Sequence, residues 1–321
     1  MGATSILDRL SALDTNTVSD ALGFLGLKGA TYGLRPLWDC PKIVGRASTV
    51  KVGPKTDAAS TTHLLTSVID RVKINDCGIR GTIIDGMSRD IGGSREVGYS
   101  VYGWGVTMIS ARNRVVQLDS GTPLQMRGVT VHQDDYVIAD RCGTVLVPAA
   151  RIEKVFHLAE RIDRSQARMV QAVREGHAVS EVMHDSQFKA IREIAPAQTP
   201  AAAVPAPGHN PKSASCEDQE LVALFAESGS PVGPAFKVRY FPASDPPGSV
   251  GDFIDDVAVG DFVVIGNGGR TDCTVWGDII TQYAALRGIS GAVIDGVCRD
   301  VNRAISDSRS NLGLLKLCHR I

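Results

Sequence analysis

Asp278 is followed, after twenty intervening residues, by the pair Arg299-Asp300. Arg299 offers a fixed positive fork that fits a carboxylate or a developing oxyanion. Asp300 offers a hard oxygen ligand, suited to Mg2+ or Mn2+ held mainly by water and substrate. Just upstream, the stretch GDFVVIGNGGRTDCTVWGD (260–278) carries Gly266, Gly268 and Gly269. A glycine turn that opens a helix presents backbone N–H groups, and such groups attract carboxylate or phosphate. Together these features could bind a 2-keto acid and stabilise an enolate. Each also has a plain reading. Arg299-Asp300 alone is a strand-end ion pair, Asp278 alone is a helix N-terminal residue favoured by the macrodipole, and a glycine turn alone is a weak signal. Their conjunction is what points to a site.

The elements that must position them follow from the pattern. Residues 262–265 read as a buried strand, 266–269 as a turn, and a helix starts near Trp276 and covers 279–286. Residues 291–294 read as a second buried strand, which ends at the Arg-Asp pair. This β-loop-α-β unit predicts an α/β architecture. It places the helix start and the strand end on one edge of a sheet, where open α/β sites lie.

The chain repeats itself. VGRASTVKV (44–52) returns as VGPAFKVRY (232–240) at an offset of 188, and GIRGTIIDGMSRD (78–90) returns as GISGAVIDGVCRD (288–300) at an offset of 210. Two blocks in the same order imply duplication, with 22 extra residues in the second copy. Between the copies runs a Pro/Ala-rich stretch with no apolar period, read as an extended linker. The predicted organisation is module one over 1–195, a linker over 196–214 and a partial module two over 215–321. Module one keeps Arg89-Asp90, but Val68 stands where the motif needs Asp, and the glycine loop is missing. Module one is therefore not expected to form a competent site by itself. Its tail predicts strands at 107–109, 115–118, 128–131, 136–139 and 144–147. A helix from about Ala149 follows, with Ile152, Val155, Phe156, Ala159 and Ile162 on one face.

Composition narrows the classes. Lys+Arg is 34 and Asp+Glu is 35, a net charge of -1 that argues against a basic nucleic-acid or membrane-surface binder. No apolar run approaches the roughly 20 residues of a membrane helix. The N-terminus lacks a secretory h-region, and Ile6 stands where a myristoylation signal needs Ser or Thr. Seven scattered cysteines without C-x-x-C predict a reduced, cytoplasmic protein with neither disulfide framework nor zinc site. The seven histidines show no ligand spacing. Asp252, Asp255, Asp256 and Asp261 read as a solvated acidic face. Cys298 reads as a structural thiol, Thr15 as a helix N-cap, and Ser19-Asp20 as either a polar face or a contributor to a neighbour's site.

The blocks resemble the RraA-like group, which includes the regulator of ribonuclease E activity and the class II 4-hydroxy-4-methyl-2-oxoglutarate aldolases. The resemblance covers LDTNTVSDAL (13–22), VGRASTVKV, GIRGTIIDGMSRD and DDYVIADRCGTVLVP (134–148) in module one, and VGPAFKVRY and residues 260–301 in module two. It implies tandem β/β/α swivelling-type modules, the second truncated. The Asp-x20-Arg-Asp motif of the family's aldolases is matched by Asp278, Arg299 and Asp300. By that resemblance Asp300 anchors a divalent cation (Mg2+ or Mn2+) and Arg299 holds an oxygen of the pyruvoyl group. The backbone of Gly277, Asp278, Ile279 and Ile280 binds the substrate carboxylate, and Asp278 positions a proton-carrying water. The implied activity is lyase cleavage of a 4-hydroxy-2-keto diacid to pyruvate, with oxaloacetate decarboxylation alongside. Implied partners are a small 2-keto acid and further copies of the chain, as a trimer or hexamer with sites between subunits. The alternatives are a non-enzymatic regulator or a degenerate, inactive fusion. The ending NLGLLKLCHRI does not resemble the family.

Overall fold

Helix α1 (Ile6–Ser11) and helix α2 (Thr15–Phe24) open the chain. Asp14 caps α2, its carboxylate accepting the Thr17 N–H at 2.7 Å. Thr15, expected as the cap, is instead the first helical residue. Its N–H and hydroxyl both donate to the buried Asp140, at 3.0 and 2.7 Å. The computed structural model describes residues 5–55, 78–112, 114–183, 234–240 and 251–300. Val68, the linker and the segment after residue 300 lie outside them. Packing divides the chain into two units, Met1–Ile162 and Asp163–Ile321.

Unit one is a set of small sheets. β1 (Arg35–Pro36), β2 (Ile43–Arg46), β3 (Val50–Pro54), β4 (Gly81–Ile83) and β5 (Met87–Ser88) precede the short helix α3 (Ile91–Glu96). β6 (Ser100–Gly103), β7 (Gly105–Val106), β8 (Val115–Ser120), β9 (Leu124–Met126), β10 (Val129–Val131), β11 (Tyr136–Asp140) and β12 (Gly143–Val147) follow. Antiparallel β12-β11-β2 forms the best-buried sheet, and β1-β6-β4 forms another. Every residue of β11 and β12 is buried: 136–139 and 145–147 are apolar, and Asp140 is satisfied by the two Thr15 donors. The strand expected at 107–109 is displaced: β7 stops at Val106 because its partner β5 ends at Ser88. The Thr107 N–H takes the Ser88 carbonyl at 2.8 Å, and Met108 and Ile109 then stand exposed without a ladder.

Helix α4 (Ile152–Arg174) starts as its apolar period predicts, with Ile152, Val155, Phe156, Ala159 and Ile162 all buried. The boundary between the units falls inside this helix. Its Met169 and Val173, with Val179 and Val182 of α5 (Val179–Val182), belong to the core of unit two. That division records packing, whereas the expected module limits at 195 and 215 come from the Pro/Ala-rich stretch read as a linker.

Unit two is built on three parallel strands in the order β13-β14-β15: β13 (Ala235–Arg239), β14 (Phe262–Gly266) and β15 (Gly291–Asp295). Helix α6 (Asp278–Leu286) makes the crossover between β14 and β15. Val263, Ile265, Ala292 and Ile294 turn one sheet face into the core, against Trp276, Ile280, Tyr283 and Ala284. Burying each large apolar side chain in that layer contributes about 1.5–3 kcal/mol. Asp255 departs from the expected solvated acidic face. Its carboxylate accepts the Val179 and Ser180 N–H groups at 3.3 and 3.1 Å, the Ser180 hydroxyl at 2.7 Å, and the Tyr283 hydroxyl. It thereby caps α5 and ties it to α6.

Candidate functional site

The parallel crossover dictates where the site lies. β14 and β15 point the same way, so the loop 267–277 and the turn 296–300 leave the sheet at one edge. There they are stitched together. Thr274 bridges Val297, and the Arg299 N–H donates to the Trp276 carbonyl at 3.1 Å. Gly268 and Gly269 are both left-handed, at φ 64° and 66°, which reverses the chain out of β14 at little steric cost. Gly296, at φ 148°, lets the turn pass close to the loop. A Cβ there would lie 3.0 Å from the Arg270 carbonyl and 3.2 Å from Asn267 Nδ2.

Gly277 is the N-cap of α6 and has no side chain with which to cap it. Asp300 does so from across the turn: its Oδ2 accepts the Asp278 N–H at 3.1 Å. The same oxygen lies 3.3 Å from Arg299 Nε. Asp300 holds a left-handed backbone, φ 61°, one of four such non-glycine residues described. The close seat requires glycine at 277, since a Cβ would stand 2.8 Å from Asp300 Oδ2 and 3.5 Å from Arg299 Nε. The side chain of Asp300 is only 14% exposed, while Arg299 is 35% exposed and keeps a face toward solvent.

Asp278 occupies the first position of the helix, and its Oδ1 accepts from Gln282 Nε2 at 2.9 Å. The side chains of Ile279 and Ile280 pack with the core, so these residues offer the site their N–H groups. Those groups belong to the first turn, where a helix provides no internal acceptor. The Thr281 N–H is the first to be satisfied within the helix, by the Gly277 carbonyl at 3.0 Å. Because the Asp278 N–H already serves Asp300, an incoming carboxylate would meet the Ile279 and Ile280 N–H groups.

Two neighbours shape the charge. In the loop, Arg270 forks onto Asp272 at 3.0 and 2.8 Å, and this bonding raises the guanidinium pKa further and lowers that of the carboxyl. At the end of β13, burial first and Asp252 second push the Tyr240 phenol up to about 12, so it stays protonated at neutral pH. Cys298 packs half-buried against the core, as a structural thiol does. Among the described residues no three His, Cys, Asp or Glu side chains are placed to hold a metal ion together. The carboxylate that the fold seats beside the Arg299 guanidinium is Asp300, with Asp278 at the start of the helix it caps. This arrangement fits a Mg2+ ion that keeps most of its water and does not fit a closed zinc site.

The equivalent pair in unit one is Arg89-Asp90, with Nε to Oδ2 at 2.7 Å. It is largely exposed, and Asp90 makes no side-chain cap on α3. Sequence reading passed over Gln282 and Asn267. Both are buried, and Gln282 Oε1 and Asn267 Nδ2 lack a hydrogen-bond partner among the described residues. For Gln282 the i, i+4 spacing from Asp278 was the available signal. No described helix is long and apolar enough to cross a membrane.

Known proteins share parts of this chain. Protein DlpA of Legionella pneumophila subsp. pneumophila is 26% identical over 206 residues, which cover 56% of this chain and 34% of that relative. The chain therefore spans about a third of DlpA. A Halalkalibacterium halodurans protein, provisionally named 4-hydroxy-4-methyl-2-oxoglutarate aldolase, is 25% identical over 175 residues, covering 48% of this chain and 82% of that protein. Among solved structures, an uncharacterized protein from Pseudomonas syringae pv. tomato aligns with a TM-score of 0.48 at 28% identity, covering 56% of this chain and 98% of that one. RraAS2 of Streptomyces coelicolor, described as an unusual member of the RNase ES inhibitor RraA family, aligns at 0.47 and 21% identity, covering 54% of this chain and 100% of that one. The RraA-like family model (Aldolase/RraA) matches residues 70–146 and 209–309, more than half of the chain in two segments, as a tandem arrangement requires. The chain belongs to the RraA-like family.

Proposed function

We propose that this chain is a divalent-metal-dependent lyase that cleaves a 4-hydroxy-2-keto diacid to pyruvate, with oxaloacetate decarboxylation as a companion activity. The observation that carries the reading is the seat of Asp300, its carboxylate lodged on Gly277 between the Asp278 N–H and the Arg299 guanidinium. Asp300 would hold Mg2+ or Mn2+, which supplies Lewis-acid polarisation of the keto oxygen. Arg299 holds an oxygen of the pyruvoyl group and balances the negative charge that grows as the C3–C4 bond breaks. The Ile279 and Ile280 N–H groups orient the substrate carboxylate. Asp278 holds the water through which the 4-hydroxyl proton leaves and the C3 proton returns. Loss of CO2 from oxaloacetate leaves the same enolate, so the same groups serve it. The reading includes the module limits 1–195 and 215–321, a homotrimer or hexamer, and module one as supplier of the shell that module two lacks.

The test is pyruvate release from oxaloacetate and from a 4-hydroxy-2-keto diacid, with Mg2+ and with a chelator. The expected result is turnover with Mg2+ that chelation abolishes and Mg2+ restores. Turnover that persists through exhaustive chelation breaks the reading. A second reading, a regulator that binds a protein partner without catalysis, draws support from Trp104, Val106, Met108 and Ile109, which stand exposed along one short segment of unit one. No turnover under any condition, together with capture of a defined protein partner, favours it. No turnover and no partner leaves the degenerate fusion.

A further inference from the structure

Gln282 is 6% exposed and sits one helical turn beyond Asp278, on the same face of α6. A carboxylate only accepts, so the end of the amide that faces Asp278 Oδ1 at 2.9 Å is the nitrogen. That choice fixes the other end. Gln282 Oε1 is closed off from bulk solvent and has no hydrogen-bond partner among the described residues. Its chain neighbour is different: Thr281 Oγ1 accepts from Trp276 Nε1 at 2.9 Å and donates to the Gly277 carbonyl at 2.8 Å. A buried amide carbonyl without a donor costs about 1–3 kcal/mol. A methionine would fill the same space without that cost. The orphaned acceptor therefore needs a small neutral donor in its shell, and it stands beside the carboxylate to which proton transfer has been assigned.

We propose that Gln282 is a positioning residue: its Nε2 fixes the Asp278 carboxylate, and its Oε1 anchors a buried water within reach of that carboxylate. The inference deepens the lyase reading and rests on it for the water's role, although the water site itself does not depend on turnover. Water suits the place because a buried water takes two to four polar partners, and Oε1 and the neighbouring carboxylate provide the first two.

The deciding experiment is a high-resolution crystal structure of the full chain, alone and as Gln282→Met. Ordered density within hydrogen-bond distance of Gln282 Oε1, lost in the variant while α6 stays in place, is the expected result. A dry Oε1 in the unaltered protein overturns the proposal and needs no variant to do so. The companion measurement is oxaloacetate turnover with Mg2+. Gln282→Met should lower kcat about 10- to 100-fold, the scale of a misplaced proton carrier, with KM within about twofold. An unchanged kcat, or a rise in KM alone, overturns the positioning role. An unaltered protein that releases no pyruvate breaks the lyase reading alone, and the density still decides the water site.

Discussion

The molecule carries the Arg-Asp turn twice, and the copies are alike only locally. Asp90 and Asp300 share a left-handed backbone, at φ 58° and 61°, and in each pair the Arg Nε reaches the Asp Oδ2. The surroundings diverge. Asp90 is 76% exposed, whereas Asp300 is 14% exposed and caps a helix. The shared ending I-D-G-x-x-R-D thus builds the turn by itself. In the second copy a helix N-terminus reaches the turn by way of the glycine loop; the sequence of the first copy carries no such glycine run before its Arg-Asp pair.

The strongest way to break this contrast is to neutralise each aspartate. Asn tolerates the left-handed backbone and can still accept the Asp278 N–H, so Asp300→Asn keeps the cap while removing the charge. Metal-dependent pyruvate release should fall at least about 100-fold, since the charge that holds the cation and balances Arg299 is lost. Asp90→Asn should leave turnover within about twofold. Equal losses in the two variants, read from kcat/KM under the same Mg2+ concentration, would mean that the exposed pair is also chemical and that the contrast is false.

The glycines of the two turns sharpen the comparison at the level of stability. Gly86 and Gly296 hold the same place in the repeat. Among the described residues a Cβ on Gly86 would meet only Ile84 at 3.6 Å, an ordinary contact. A Cβ on Gly296 would press on the Arg270 carbonyl and Asn267 from a strained φ of 148°. Gly296→Ala should destabilise unit two by about 1–3 kcal/mol, and Gly86→Ala should stay within about 0.5 kcal/mol of the parent. Urea titration of both variants checks it, and a neutral Gly296→Ala would show that the turn and the loop are not pressed together.

Much of this was legible in the residues because it follows from local pattern. Phe262–Gly266 and Gly291–Asp295 are apolar runs bounded by glycine, and Asp278–Leu286 starts where a glycine turn meets an amphipathic segment. The partners were not legible where the bond crosses the chain. Thr15 has the chemistry of a cap but is claimed by Asp140, which lies 125 residues away. Asp255 looked solvated among other acids, yet the fold sets it under the start of α5, 75 residues away from Ser180. The strand expected at 107–109 had suitable residues but no neighbour to pair with. Spacing could propose Asp278, Arg299 and Asp300, but the seat on Gly277 depends on a left-handed aspartate that no periodicity reveals.

The smallest effect concerns acid. Burial alone would raise the Asp255 pKa, but hydrogen bonds from Tyr283, Ser180 and Val179 outweigh it, and the carboxyl titrates below its ordinary value. Because these bonds favour the charged form in the folded state, the stability they contribute is present above the unfolded value, near pH 4. It fades as pH falls through the folded value, where the native carboxylate takes up its proton. Asp255 ties α5 to Tyr283 on α6, the helix whose first turn seats Asp300, so acid should loosen that seat from below. Fluorescence of Trp276, buried in unit two, reports the change in a background with Trp38 and Trp104 replaced by Phe. The unfolding free energy should decline below about pH 4. Asp255→Asn should flatten that decline and lower stability at pH 7 by about 1–3 kcal/mol, because an amide cannot accept all the donors aimed at it. Among the described residues the exposed turn at Arg89-Asp90 has no such tie to lose, so a probe placed beside it should show no change that depends on Asp255. A decline of equal slope in the Asn variant would shift the acid sensitivity of unit two to another carboxylate.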